Sequence, residues 1–193
     1  MKRICVFCGS SLGSQAMFAE SARATGRVLA EAGIGLVYGG GRLGLMGLVA
    51  DAAIEAGGEV IGVIPEFMVR KEVAHPGLTQ LQIVQSMHER KAAMADCSDG
   101  FITLPGGLGT FDELAEVLSW AQLGLHTKPC GLVNVAGFFD AYLHQLDHAL
   151  STGFMRSEHR ALVLVDQDPM ALLNRMRAAP SAPVSKWSGT EVR

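Results

Sequence analysis

Short runs of branched and aliphatic residues alternate with longer stretches whose apolar residues recur at helical spacing, from Arg3 almost to the end of the chain. This alternation constrains the fold more than any other feature of the sequence. It predicts strands over Arg3–Phe7, Gly35–Tyr38, Glu59–Ile64, Leu81–Val84, Gly100–Leu104, Gly131–Val135 and Leu162–Val165. Helices are predicted over Gln15–Glu31, Gly44–Ala56, Met87–Cys97, Thr110–Leu123, Phe139–Leu150 and Pro169–Arg177, with Glu66–Thr79 as a loop. The strands are near-continuous apolar runs, as in a parallel sheet buried on both faces. Strand–helix alternation of this kind makes an α/β chain, a doubly wound Rossmann-like parallel sheet of about seven strands with helices on both faces. A length of 193 residues suits one domain, expected over 1–177. Residues 178–193, rich in Pro, Ser and Ala, are expected to form a loose tail.

Several classes of protein fall away at once. No apolar stretch approaches the roughly 20 residues of a membrane helix. The apolar block after Met1-Lys2-Arg3 is only Ile4–Cys8, too short for a secretory leader. A net charge of −3 without a basic run argues against nucleic acid and anionic membranes as partners. A cytoplasmic protein is expected, with Cys5, Cys8, Cys97 and Cys130 as reduced thiols. Cys5-x-x-Cys8 lies in a strand, whereas a redox pair needs its first cysteine at a helix start, so it reads as structural. His144 and His148 share a helix face, but no ligand pattern completes a site around them, and no metal is expected.

In a doubly wound sheet, ligands bind outside the carboxyl ends of the strands. Three predicted strands end there in small, donor-rich turns: Cys8-Gly9-Ser10-Ser11, Gly39-Gly40-Gly41-Arg42-Leu43-Gly44 and Pro105-Gly106-Gly107-Leu108-Gly109-Thr110. Each is expected to open a helix whose free N–H groups and dipole attract an anion. Gly39-x-Gly41-x-x-Gly44 fits the dinucleotide fingerprint formally, but the acid that should end the next strand is missing, since Glu59 begins that strand. No Gly-Lys-Ser/Thr follows, so there is no Walker loop. Gly40 and Gly41 are left as tight-turn residues or as part of a mononucleotide site.

The third turn runs into Phe111-Asp112-Glu113, with Glu116 one turn on. Acids in a first helical turn ordinarily complement the dipole. Three within a turn and a half repel one another, which calls for a cationic partner or a catalytic carboxylate. Arg90 and Lys91, near the start of the helix after strand four, stand against the dipole. They read as a solvated basic patch or as a pair aimed at a phosphate or at those acids. The second reading takes strands four and five as neighbours.

Ser86-Met87-His88-Glu89-Arg90-Lys91, followed by Leu104-Pro105-Gly106-Gly107-x-Gly109-Thr110-x-x-Glu113, resembles the Lonely Guy family. That family comprises cytokinin riboside 5′-monophosphate phosphoribohydrolases once labelled lysine decarboxylases. Val6–Ser11, Val37–Gly41, Trp120–Gly124 and Lys128–Asn134 are also similar, so the resemblance runs from about Lys2 to Leu164, nearly the whole folded region. The family commonly has Tyr where this chain has Leu108 and Glu where it has Asp112. The resemblance implies that Arg90 and Glu113 are the catalytic pair. It also implies substrate contacts at Glu72, Lys91, Gly107, Leu108, Gly109, Thr110, Phe111, Asp112 and Ser119, with the Gly9-Ser10 turn facing the same nucleotide.

The expected reaction is hydrolysis of the N-glycosidic bond of a purine nucleoside 5′-monophosphate, with no cofactor. Its transition state is oxocarbenium-like, so a carboxylate such as Glu113 can stabilise the growing charge or activate water. Two alternatives stay open. One is a nucleotide or molybdenum-cofactor carrier on the same scaffold. The other is a pyridoxal-phosphate decarboxylase, which needs a Schiff-base lysine among Lys2, Lys71, Lys91, Lys128 and Lys186. Leu114, Val117, Leu118, Trp120, Leu123 and Leu125 give one helix a broad apolar surface, and with the resemblance this predicts a homodimer.

Overall fold

The computed structural model describes residues 1–69 and 74–179. Glu72 and most of the predicted tail, 180–193, lie outside the described residues. The elements run β1 (Arg3–Phe7), α1 (Ala16–Glu31), β2 (Gly35–Tyr38), α2 (Gly44–Glu55), β3 (Val60–Pro65), α3 (Glu66–Val69), β4 (Gln80–Val84) and α4 (Met87–Asp96). They continue with β5 (Phe101–Thr103), α5 (Leu108–Gln122), β6 (Cys130–Val133), α6 (Asp140–Ser151), α7 (Ser157–Arg160), β7 (Val163–Asp166) and α8 (Pro169–Ala178). Among the described residues the strands form one parallel seven-stranded sheet in the order β4-β3-β2-β1-β5-β6-β7. No described helix is long and apolar enough to cross a membrane.

Side chains alternate across the sheet, so each strand feeds two cores. Ile4 and Val6 of β1 pack with Leu36 and Tyr38 beneath α1, α2 and α8. Cys5 and Phe7 face the other way, joining Val37, Ile61 and Val63 under Met94 of α4 and Val117 of α5. Leu114, Leu132, Phe139 and Val163 extend that second layer toward β7. Strands β2, β3, β5 and β6 are buried along their length, whereas the edge strands β4 and β7 are only partly covered.

From β1 to β4 the sheet grows strand by strand in one direction. The chain then returns across three strands to add β5 on the free side of β1. Strands β4 and β5 are therefore not neighbours, which corrects the sequence expectation: hydrophobic periodicity carries no information about lateral order. Helix α4 lies in this crossover and packs on β3, while α5 packs on β1 and β5. The reversal puts a topological switch point between β1 and β5, where the connections leaving the two strands diverge and open a crevice.

Two local features fix the helices around that crevice. Ser86 Oγ accepts from Glu89 N–H at 3.1 Å, and Glu89 Oε2 accepts from Gln85 N–H at 2.9 Å. This reciprocal cap starts α4. At α2, the N–H groups of Leu45 and Met46 donate to Gly9 O at 3.0 and 3.4 Å. The approach needs Gly44, at φ +62°, because a Cβ there would stand 2.2 Å from the Ser10 carbonyl carbon.

Candidate active site

A cleft of about 230 Å³ opens at the switch point. Cys8, Gly9 and Ser10 line it after β1, Met46 from α2, Met87 and Arg90 from α4, and Gly107–Thr110, Asp112 and Glu113 from α5. Gly9 N–H donates to Pro105 O at 3.0 Å, tying the loop after β1 to the loop after β5. The sheet thus gathers Arg90, Glu113, Gly9, Ser10, Gly107, Leu108, Gly109, Thr110 and Asp112 of the predicted site into one depression.

The three glycine turns do not play one part. Helix α1 begins only at Ala16, beyond the Gly9–Ser11 turn. The first amides of α2 are taken by the Gly9 carbonyl. The N-terminus of α5 alone faces the cleft, which corrects the expectation of three anion-binding helix starts. Helix α5 starts at Leu108 with Gly107 as its cap, two residues earlier than predicted. The first of its amides with a partner inside the helix is Phe111 N–H, bonded to Gly107 O at 3.1 Å. Those of Leu108, Gly109 and Thr110 stand ahead of it on the cleft wall, as an anion site requires. Thr110, buried in the first turn, does not cap the helix.

This early start carries Asp112 and Glu113 into the second turn, so the dipole no longer accounts for them. Lys91 does. Its ammonium lies 3.1 Å from Asp112 Oδ2 and 3.1 Å from Glu116 Oε1, with only 11% of the side chain exposed. Burial works against the charge, but the hydrogen bonds to Asp112 and Glu116 outweigh it and hold the pKa above the ordinary lysine value. Lys91 itself is off the cleft lining and clamps α4 to α5 on both sides of Glu113. Arg90 is 5% exposed. Its Nε donates to Val63 O at 3.2 Å and its Nη2 to Gly39 O at 2.9 Å. Burial, and then the charge of Glu113, push the Cys8 thiol well above its ordinary range, while Arg90 pulls it back. Cys8 is thus a protonated floor beneath both charges, and Cys5 is buried and raised by the same causes.

Other predicted residues lie elsewhere. The Phe111 ring packs against Tyr142, Phe139 and Phe138 at centroid distances of 5.7, 6.1 and 6.3 Å. Ser119 donates to Ala115 O at 2.7 Å and lines a separate cavity with Tyr142 and His159. Gly40 and Gly41 are engaged by the segment after β3: His75 N–H donates to Gly40 O at 3.0 Å, and Gly41 bridges Ala74. His88, His144 and His148 are exposed. Sequence reasoning missed Met46 and Met87 as cleft residues. It also missed Gly39 and Val63 as partners of Arg90; the glycine triplet was the available signal for the first.

Fold and cleft together define a class: a doubly wound α/β protein that presents a helix N-terminus, a guanidinium and a carboxylate at its switch point. Such a site suits a small anionic substrate with a cleavable bond beside the anion. The family model described as possible lysine decarboxylase matches residues 46–176, more than half of the chain. A rice (Oryza sativa subsp. japonica) cytokinin riboside 5′-monophosphate phosphoribohydrolase is 50% identical over 163 residues, covering 84% of this chain and 67% of that protein. A probable cytokinin riboside 5′-monophosphate phosphoribohydrolase of the same plant is 43% identical over 195 residues, covering 98% and 87%. The chain belongs to this family, the Lonely Guy proteins. Among solved structures, the molybdenum cofactor carrier protein of Chlamydomonas reinhardtii shares the fold, with a TM-score of 0.69 at 23% identity over 92% of this chain and 98% of that one.

A lysine decarboxylase of the pyridoxal-phosphate type would need a lysine in the cleft. Among the described residues none lines it: Lys91 is tied to Asp112 and Glu116, and Lys128 Nζ donates to Ala95 O at 2.7 Å. The described lysines do not fit that cofactor; Lys71 and Lys186 lie outside the described residues.

Proposed function

We propose that this protein hydrolyses the N-glycosidic bond of purine nucleoside 5′-monophosphates, of the cytokinin riboside or adenosine type, to free base and ribose 5-phosphate. The reading rests on one observation: the amide end of α5, Arg90 and Glu113 share one cleft. It agrees with the activity named for the rice relatives. The 5′-phosphate sits on the amides of Leu108, Gly109 and Thr110, and its binding energy positions the reacting bond. As the C–N bond lengthens, positive charge grows on the ribose, and the Glu113 carboxylate stabilises it or takes the proton of the attacking water. Arg90, fixed by two backbone carbonyls, orients Glu113 or the ribose and supports the departing base. The protein works in the cytoplasm as a homodimer.

Incubation with AMP, isopentenyl-AMP and adenosine, with chromatography of the released base, tests the assignment. The two monophosphates should be cleaved and the nucleoside hardly at all. Its missing phosphate loses several charge-assisted hydrogen bonds, each worth about 1.5–3 kcal/mol. Comparable kcat/KM on AMP and adenosine would reject the phosphate site, and no base from any of the three would reject the function.

A further inference from the structure

We propose that Gly39 is a positioning residue for Arg90: the carboxyl ends of β2 and β3 form a seat for the guanidinium that only a residue without a side chain at position 39 leaves open. The inference rests on the reading of Arg90 as a residue that acts on the substrate. Gly39 directly follows β2, and its carbonyl accepts from Arg90 Nη2 at 2.9 Å, while Val63 O in β3 accepts from Nε at 3.2 Å. A Cβ at position 39 would stand 2.0 Å from Nη2 and 3.1 Å from Cζ. Unlike Gly40, at φ +78°, Gly39 is not in the left-handed region, so no left-handed backbone reserves the position for glycine. What the position excludes is volume, and the excluded volume is filled by the guanidinium.

The consequence is specific. Normal contact between such atoms is about 3.5 Å, so a methyl group at position 39 forces Nη2 back by roughly 1.5 Å. The atom that yields is the far end of a flexible side chain, with Met46 Sδ, 3.3 Å from the same point, as the other close neighbour. The backbone need not move. The chain therefore keeps its fold and loses the register of a buried cation whose hydrogen-bond donors are fixed in a planar fork. The glycine triplet then divides its work: Gly39 seats the cation, and Gly40 and Gly41 make the turn.

The test is Gly39→Ala, alone and in an Arg90→Ala background. A misplacement of this size costs about 100-fold in rate, so kcat for base release from AMP should fall by about that factor in a protein that still folds. In the Arg90→Ala background the same change should cause no further loss, because the guanidinium is gone. Guanidinium ion added to Arg90→Ala should restore part of the rate, and Gly39→Ala should abolish that rescue. Wild-type kcat in Gly39→Ala, or an equal loss in both backgrounds, overturns the seat. Should Gly39→Ala fail to fold, recovery of folding in the double variant supports the seat and continued failure overturns it. The ¹⁵N–¹H signal of Arg90 Nε reads the seat without substrate and should shift or broaden in Gly39→Ala. An unchanged signal overturns the inference, whereas absence of base release by wild type, with the shift still seen in Gly39→Ala, overturns only the proposed function.

Discussion

Glu113→Gln keeps the shape of the side chain and removes its charge, and Arg90→Ala removes the cation facing the same cleft. If the two act as a unit, each change should lower kcat by at least about 100-fold, with the double variant little worse than either. Full activity in folded Glu113→Gln protein would end the case for this carboxylate. The Lys91 clamp predicts a pH dependence. Its pKa is raised in the folded state above the ordinary 10.5, so its contribution to stability is complete below that value and is lost as pH rises through the folded pKa. The melting temperature should therefore fall on the alkaline side of about 10.5 more steeply in wild type than in Lys91→Met. Equal slopes would remove the clamp. Site residues were legible in the sequence by type but not by direction. Glu113, Phe111 and Ser119 lie on one helix, yet offsets of two and six residues turn the latter two away from the cleft. Lys91, a substrate contact implied by the resemblance, is held by two neighbouring carboxylates off the cleft lining.

Elements with a full hydrophobic period were found within a few residues, because the inner strands are buried on both faces and their sequences have little freedom. Helices α3 and α7, four residues each, and the 3-10 turn at Val135–Gly137 were not foreseen. One turn gives no period to read. The partner of a helix start was equally hidden: the same glycine pattern opens α2 onto a carbonyl and α5 onto the cleft. The cap of α4 is Ser86, whose Oγ accepts from Glu89 N–H. Ser86→Ala should cost about 1 kcal/mol, or about 2–4 °C in melting temperature for a chain of this size. An unchanged melting curve would mean that α4 is held by packing alone.

At the scale of the molecule, Leu123 and Leu125 are 43% and 70% exposed at the end of α5. These exposed leucines are where the proposed dimer would pack. A dimer is expected, and a monomeric mass by light scattering at micromolar concentration would refute it. The overall architecture was legible and the strand order was not, since the return from β4 to β5 leaves no trace in periodicity. That return also governs how the protein comes into being. Strand β1 pairs with β2, close in sequence, and with β5, where Cys5 meets Phe101 and Phe7 meets Thr103. Until this second, distant pairing closes, α5 has no strand to lie on and Glu113 has no cleft to line. Contacts so far apart in sequence form slowly. A ribosome that has released the chain from β1 through α4 has delivered Arg90 and its seat but no active site, so in a refolding experiment enzymatic activity should return with the slowest phase.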